Sequence, residues 1–279
     1  MRLLVLLLAF AAMPLLAGEA RTLVVMDPLS KPLSCDCVKG YAQRDYEKLR
    51  DHLAAETGDD WTVVWHESLA TALKETGGKA DLVVGKHSVV LADEKSTGHA
   101  LTPVMSMTSQ DGETTQHGVF AVRAGDAAKS LADLEGYRVF FGPADAAEKS
   151  AAPEAALKAA GVTLTGDRER FNACSEAATA LVELPEGTAA AAVISSYAEP
   201  LLEGCGAVKK GDLRVVGKSG PVPFVVAFTS DKLTDDERKR IAAALESVAD
   251  DPELMLSLET LGYVPFEDVG QKKSPVAVK

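Results

Sequence analysis

The chain has 279 residues, with 29 Lys and Arg against 41 Asp and Glu, and a net charge of −12. Such acidity argues against nucleic acid or an anionic membrane surface as a partner, because both present phosphate charge. The length is sufficient for one large domain or two lobes, so the four cysteines are not required as staples of a small scaffold.

The first residues predict an export signal. A short basic start, Met1-Arg2, precedes an apolar run over residues 3–16, and small residues follow in "AGEA". The apolar run is shorter than the ~20 residues of a membrane-spanning helix. We expect residues 1–20 to be removed, although cleavage after Gly18 fits nearly as well. The mature chain is then soluble in the periplasm or another extracytoplasmic compartment.

Behind the signal, apolar strand-like runs alternate with amphipathic helical stretches. The first series reads as the strand "TLVVMD", the helix "RDYEKLRDHLAAETG", the strand "WTVVWH", the helix "SLATALKETGG" and the strand "ADLVVG". In the first of these helices Tyr46, Leu49 and Leu53 share one face, and Gly58 marks its end.

A second series begins at the strand "HGVFAVRAG". It continues with "SLADLEG" (helix), "YRVFFG" (strand), "SAAPEAALKAAG" (helix), "RERFNA" (strand), "SEAATALVEL" (helix), "GTAAAAVIS" (strand) and "YAEPLLEG" (helix). The extended run "LRVVGKSGPVPFVVAFTS" follows, and two helices close the chain. A capping box from Thr234 to Glu237 opens the first of them, and Asp251-Pro252 opens the second.

The alternation of strands and helices predicts an α/β fold with parallel sheets covered by helices. Long extended segments near residues 102–122 and 213–229 predict two lobes joined by two crossing strands. We assign residues 1–20 to the signal, 21–103 and 220–279 to lobe 1, and 104–219 to lobe 2.

In sheets of this kind, ligands bind at the carboxyl ends of the strands. The segments at those ends are residues 27–37, 65–67, 85–88, 142–150, 173–176 and 195–197. They and the adjoining loop supply the candidate binding residues, which are Cys35, Cys37, Tyr41 and His87 in lobe 1 and Lys149, Ser150, Cys174, Ser175, Glu176 and Ser195 in lobe 2.

The second series resembles a known family. The run "HGVFAVRAGDAAKSLADLEGYRVFFGPADAAEKSAAPEAALKAAGV" is similar to the phosphonate/phosphate-type periplasmic solute-binding proteins of ABC transporters. "ADLVVGKHSVV" resembles that family's "DVAFVGP" strand and turn, and "LRVVGKSGPVPFVVAFTSDKL" its return strand. "FNACSEAATAL" stands where the family has Phe-x-Gly-Ser-His-Asp-Ala. The likeness covers nearly the whole mature chain.

The resemblance implies the type 2 periplasmic binding fold, in which each of two lobes is a mainly parallel sheet flanked by helices. It implies a solute-binding component of an ABC-type transport system that closes on a small ligand by hinge motion. We expect a monomer without catalytic activity that works with an ABC permease in the membrane. A ligand-sensing partner of a membrane sensor kinase would use the same fold and stays open as an alternative.

The predicted anion loop departs from the family pattern. The family holds its oxyanion with a Ser-Thr-Ser-Gly run at a helix amino end, whereas residues 144–150 here read "ADAAEKS". Asp145 and Glu148 would repel a dianion, and Lys149 and Ser150 remain as anion contacts. We therefore expect phosphate and alkylphosphonates to bind in the millimolar range or worse, with oxyanion binding kept as an alternative.

Soft donors are available instead. Cys35, Cys37, His87 and Cys174 are suited to Cu(I), Zn(II) or a thiophilic metalloid such as arsenite, so Cu or Zn is a possible bound metal. The competing interpretation is a structural disulfide, either within the first pair or from one of its members to another cysteine. Cys174 and Cys205 look like a pair by position, but Cys205 follows a helix that runs away from the cleft.

Enzyme signatures are missing from the sequence. It contains no G-x-S-x-G elbow, no H-E-x-x-H and no P-loop. A Cys174–His87 nucleophile would bridge two lobes that open and close, and a thiol-redox protein would more usually show C-x-x-C than C-x-C. We therefore expect no enzymatic activity, with a periplasmic thiol-redox role as the weaker alternative.

Overall fold

The computed structural model describes residues 18–34, 42–164 and 168–268. In chain order its strands are β1 (Ala20–Met26), β2 (Asp60–Trp65), β3 (Leu82–Lys86), β4 (Leu101–Met107), β5 (Thr115–Gln116), β6 (Gly118–Arg123), β7 (Arg138–Phe141), β8 (Glu169–Arg170), β9 (Ala190–Ser195), β10 (Leu213–Lys218), β11 (Val222–Pro223), β12 (Val225–Ser230) and β13 (Tyr263–Pro265). The α-helices are α1 (Tyr46–Thr57), α2 (Leu69–Glu75), α3 (His87–Thr97), α4 (Ala151–Ala159), α5 (Cys174–Glu183), α6 (Leu201–Gly204), α7 (Asp235–Glu246) and α8 (Pro252–Ser257). Short 3-10 turns lie at Leu131–Leu134, Ala147–Lys149 and Ser247–Asp250.

The described strands form two large sheets. One has six strands in the order β13-β4-β12-β3-β1-β2, and the other has five in the order β10-β6-β9-β7-β8. The chain crosses from the first to the second between β4 and β6 and returns between β10 and β12. In these crossings β5 and β11 pair as a small antiparallel sheet. The predicted α/β class with two crossings is confirmed.

Both sheets are mixed, and the prediction of mainly parallel sheets is wrong in this detail. Parallel pairs join β1 to β2 and β3, and β7 to β8 and β9. β12 and β6 run antiparallel to their neighbours instead. The crossings explain this direction. Each crossing segment enters the new sheet at the point where the neighbouring strand ends, so the incoming strand runs in the opposite direction. Val225 opens β12 opposite Lys86, and Gly118 opens β6 opposite Ser195.

The predicted lobe boundaries stay a prediction, since strand pairing defines sheets and not lobes. The boundary placed after residue 103 falls inside β4, which pairs with β12 and β13 as far as Met107. Most of the predicted signal lies outside the described residues. Within the described ranges, no helix is both long and apolar enough to cross a membrane.

Local signals placed several helices correctly. The predicted face of α1 is buried, with Tyr46, Leu49 and Leu53 at most 1% exposed, and Gly58 ends the helix at φ 73°. The predicted caps are also present, since Thr234 and Asp251 accept hydrogen bonds from backbone N–H groups of the helices that they open.

Helix α3 is absent from the predicted elements. It begins at His87, directly after β3, and ends at Gly98 with φ 69°. The β-branched pair Val89-Val90 favours a strand locally, and Val90 is the one fully buried position among the described residues of this helix. The sequence therefore lacks the apolar stripe that would have marked a helix.

Candidate functional site

A cavity of about 520 Å³ lies between the two large sheets. Its lining comes from the carboxyl ends of β1, β2 and β3 on one side and of β7, β8 and β9 on the other. The lining residues fall within the segments 26–33, 67, 86–89, 143–149, 172–175 and 197–202, although not every residue of these segments lines the cavity. Each strand-end segment named from the sequence contributes at least one lining residue.

Most of the cavity lining is apolar. The charged residues in the lining are Lys86 and Lys149 with positive charge and Glu67 and Asp145 with negative charge. The apolar ones are Met26, Pro28, Leu29, Leu33, Val89, Pro143, Ala146, Ala173, Ala198, Leu201 and Leu202. Such a surface favours a ligand with a substantial apolar part, oriented by a few polar contacts.

The carboxylate of Glu148 joins the two sides of the cavity. Glu148 is 0% exposed; its Oε1 accepts hydrogen bonds from Lys86 Nζ and, at 2.8 Å, from Ser195 Oγ. Lys86 ends β3 and Ser195 ends β9, so one oxygen links strands of different sheets. The other oxygen, Oε2, is buried without a hydrogen-bond partner among the described residues.

The surroundings of Glu148 keep it ionised. Burial alone would raise its pKa, because a buried carboxylate loses hydration. The charge and hydrogen bond of Lys86, with smaller effects from Lys149 and Ser195, act in the opposite direction and are larger together. The pKa of Glu148 is therefore lowered from its ordinary value. Near neutral pH, Lys86 and Glu148 form a buried ion pair.

Close packing fixes the loop that carries Glu148. A Cβ at Gly118 would lie 2.1 Å from the backbone oxygen of Glu148, so the first residue of β6 has to be glycine. Across the cavity, the backbone N–H of Ala147 donates to Ser88 Oγ at 3.0 Å. The loop is thus held from the five-stranded sheet beneath it and from α3 on the opposite side.

The expected anion contacts are already occupied by the protein. Lys149 lines the cavity, but its Nζ donates to the backbone oxygen of Asn172 at 2.9 Å. Ser150 Oγ accepts from Arg170 at 3.0 Å and is not among the lining residues. The sequence therefore identified one lining cation and missed the other, Lys86. A lysine directly after the buried run "LVVG" was the available signal, because it lies at a strand end.

Cys174 and Tyr197 form part of the wall near β9. Cys174 has a free thiol, and its Sγ accepts a hydrogen bond from the backbone N–H of Ser195 at 3.4 Å. The ring of Tyr197 stacks on Phe224 with centroids 5.0 Å apart. Burial raises the pKa of Tyr197, and the charges of Cys174 and Glu148 add to the effect. Tyr197 therefore presents a neutral phenol.

Asp27, at the end of β1, is committed to structure. It is 0% exposed, and its Oδ2 accepts from Arg44 at 2.9 Å and from Tyr46 at 2.6 Å. Arg44 in turn lies over the ring of Phe224, 5.6 Å from its centroid. This cluster ties the start of α1 to the end of β1.

The comparisons with known proteins agree with this geometry. The family described as "ABC transporter, phosphonate, periplasmic substrate-binding protein" matches residues 40–273. The chain belongs to this family. Its fold is that of the type 2 periplasmic binding proteins, with two lobes. No curated protein matches the sequence at a significant level.

Solved structures with the same fold share little sequence with this substrate-binding protein. A Xanthomonas citri protein bound to ATP superimposes with TM-score 0.65 at 16% identity, covering 90% of this chain and 92% of its own. The binding component of an ABC phosphonate transporter from Pseudomonas aeruginosa has TM-score 0.65 and 12% identity, with coverages of 89% and 82%. PhnD1 of Prochlorococcus marinus in complex with methylphosphonate has TM-score 0.59 and 14% identity, with coverages of 91% and 94%.

The predicted lobe 1 ligands of this substrate-binding protein are not assembled in the described residues. Cys35, Cys37 and Tyr41 lie outside them. His87 stacks on Phe228 and Phe266, with centroids 5.8 and 5.1 Å away, and is not a lining residue. Burial lowers the pKa of His87, and Asp268 opposes the shift.

The remaining predicted residues are those assigned to lobe 2 from the sequence. Ser175 lines the cavity beside Cys174, while the carboxylate of Glu176 accepts from the backbone N–H of Ala173 at 3.2 Å and so caps α5. Ser195 contributes through its hydroxyl to Glu148 rather than through the lining. Glu148 itself was expected to repel a ligand, and its pairing with Lys86 was missed.

The predicted metal set stays a prediction. Among the described residues, no group of three or more His, Cys, Asp and Glu side chains is placed to hold a metal ion. Two of the predicted ligands, Cys35 and Cys37, lie outside that part of the chain. Cys205 is disulfide-bonded whereas Cys174 is free, so the Cys174–Cys205 bridge that their positions suggested does not form.

Proposed function

We propose that this protein is the extracytoplasmic solute-binding component of an ABC-type transport system, exported by its amino-terminal signal, which closes on one small ligand between its lobes. The cavity between the sheets carries the proposal, because strand ends from both sides line it. Its volume of about 520 Å³ suits a small organic molecule. The ABC permease is the membrane partner, and the protein works as a monomer without catalysis.

The ligand is not a phosphonate in this proposal. Both lysines in the lining already have partners within the chain, Glu148 and Asn172, and much of the wall is apolar. The fold leaves the ligand open, since one structural relative was solved with ATP and another with methylphosphonate. The ligand therefore has to be sought from the chemistry of this cavity.

A ligand screen with a conformational readout tests the proposal. The purified mature protein is mixed with a panel of amines, amino acids, sugars, organic acids and phosphonates, and binding is detected as a rise in unfolding temperature. Each binder is then measured by solution scattering. We expect the average radius of gyration to decrease when the ligand is bound, as the population shifts to the closed form. An unchanged radius of gyration with every binder would contradict the proposal that the cleft closes on its ligand.

One observation favours a second candidate ligand, a soft metal or metalloid. The free thiol of Cys174 lines the cavity, and thiolates bind Cu(I), Zn(II) and arsenite. The proposal requires further ligands from Cys35 or Cys37. Metal analysis of protein isolated from its native compartment, with Cys174→Ser as the control, decides it: loss of bound metal in the variant supports the candidate, and metal-free wild type rejects it.

The same closing could instead report the ligand to a membrane sensor kinase. Cross-linking in cells separates the two roles, because transport requires contact with a permease and sensing requires contact with a kinase. A thiol-redox role is weaker, since the free cysteine of the described residues, Cys174, has no second thiol beside it there.

A further inference from the structure

The contacts of Glu148 resemble those of a bound anion. An ammonium from the end of β3 and a hydroxyl from the end of β9 converge on its Oε1. A positive charge and a hydroxyl donor at two strand ends are the groups that an incoming oxyanion would require. In this chain a carboxylate attached to the loop between β7 and α4 fills the position from within.

The fit of this internal anion is incomplete. Oε2 of Glu148 is fully buried without a hydrogen-bond partner among the described residues, although buried polar atoms are normally satisfied. The position therefore accommodates a carboxylate without satisfying both of its oxygens. This is unexpected for a group retained for stability, since an unsatisfied buried acceptor is costly.

Filling this position changes the charge of the cavity. Lys86 is neutralised by Glu148, and Lys149 is directed at a backbone oxygen. Glu67 and Asp145 also line the cavity and make no ion pair among the described residues. Two lysines against three carboxylates leave a net charge of −1 around a largely apolar space.

We propose that Glu148 is a tethered anion that determines specificity: it occupies the anion-binding position of the cleft, excludes phosphate and phosphonates, and leaves the cavity to uncharged or cationic solutes with a large apolar part. The choice of solute class rests on the proposed solute-binding function. The occupation of the anion position does not, because it follows from the contacts of Glu148 alone.

The test is a gain of anion binding. Glu148→Ser removes the carboxylate and leaves Lys86 buried without its partner. We expect inorganic phosphate and methylphosphonate to bind this variant at least about tenfold more tightly than wild type by calorimetry at neutral pH, and to raise its unfolding temperature. A folded Glu148→Ser variant that binds neither anion better than wild type overturns the proposal, as does micromolar binding by wild type.

A matched control separates the position from overall charge. Asp145→Ser removes the same charge from the same loop but leaves Lys86 paired, so we expect no comparable gain. An equal gain in both variants means that net charge excludes anions, and the proposal is then wrong. If Glu148→Ser gains anion binding while no panel solute closes wild type, the tethered anion stands and the proposed transport function falls.

A measurement on wild type does not depend on the variant folding. Hexylammonium and heptanoate carry the same six-carbon apolar chain and opposite charges, and both are small enough for the cavity. We expect hexylammonium to bind at least about tenfold more tightly, because the cavity carries excess negative charge. Failure to prefer the ammonium overturns the assignment of the solute class.

Discussion

Replacing Lys86 by methionine removes the ammonium that pairs with Glu148 and leaves Ser195 as the hydrogen-bond donor to the carboxylate among the described residues. The side chain of Glu148 is 0% exposed and that of Lys86 is 9% exposed, so neither charge is well hydrated. Removing one partner of a buried ion pair costs about 3–5 kcal/mol, because the remaining charge stays desolvated. We expect the free energy of unfolding of Lys86→Met at neutral pH to fall by about this amount.

The position of the ion pair offers the variant a second way to relieve the unpaired charge. Lys86 ends β3 of the six-stranded sheet, whereas Glu148 lies in the loop that follows β7 of the five-stranded sheet. The variant could therefore hydrate Glu148 by opening the cavity, and the measured loss of stability would then not exceed the free energy of opening. Urea unfolding is therefore combined with solution scattering. We expect a clear loss of stability, an increase in the radius of gyration, or both. Lys86→Met with the urea midpoint and radius of wild type would refute the reasoning.

Two controls sharpen the result. Adding Glu148→Leu to Lys86→Met replaces the pair by apolar side chains, which should recover most of the stability because no charge is left buried. Lys239→Met removes a lysine whose ion pair with Asp236 lies on the surface, with side chains 78% and 93% exposed. We expect no measurable change there.

Three further predictions concern single side chains. The pKa of Glu237 is lowered to about 2, mainly by hydrogen bonds from Thr234. Its contribution to the free energy of unfolding is therefore present above about pH 4.5 and is lost as the pH falls towards 2. Glu237→Gln should cost about 1 kcal/mol at neutral pH, after allowing for solvent screening, and almost nothing at pH 2. A difference in urea midpoint that does not vary with pH would contradict this. Gly118→Ala places a Cβ 2.1 Å from the backbone oxygen of Glu148 and should lower the free energy of unfolding by about 1–3 kcal/mol. Gly125→Ala, with no atom within 4 Å of its Cβ, should leave stability unchanged. Equal urea midpoints for the two variants would show that the loop moves to accommodate the methyl group. Burial raises the pKa of Tyr197. Wild type and Tyr197→Phe should therefore show the same change in tyrosinate absorbance up to about pH 11. A larger change in wild type than in the variant below that pH would show that the phenol of Tyr197 ionises and is accessible.

The sequence predicted well what depends on neighbouring residues. The buried face of α1 and the caps at Thr234 and Asp251 follow from spacing of a few residues. The rule that ligands bind at strand ends located the cavity segments without any knowledge of contacts. The same local rules failed for α3, where a weak apolar stripe gave no periodic signal, and for sheet direction, which the crossings decide.

Pairing across the cavity could not be read from the sequence. Lys86 and Glu148 are 62 positions apart, and no spacing or pattern in the sequence marks them as partners. "ADAAEKS" shows that a carboxylate enters the loop but not which way it points, so Asp145 and Glu148 looked equivalent. In the structure Asp145 lines the cavity and Glu148 is buried beneath it, because Gly118 lets the loop approach β6 closely.

The location of this ion pair bears on the proposed closing motion. A buried pair seldom stabilises more than apolar side chains of similar size, because desolvation of the charges offsets their attraction. In the proposed closing motion, Lys86 and Glu148 would lose water as the lobes close and regain it as they open, so the pair would contribute little net preference for either form. Under the tethered-anion proposal the pair would supply selectivity instead, since closure with Glu148 misplaced would bury two unpaired charges. The apolar contacts of a ligand can then decide the balance, and a solute that competes for Lys86 would have to displace Glu148 first.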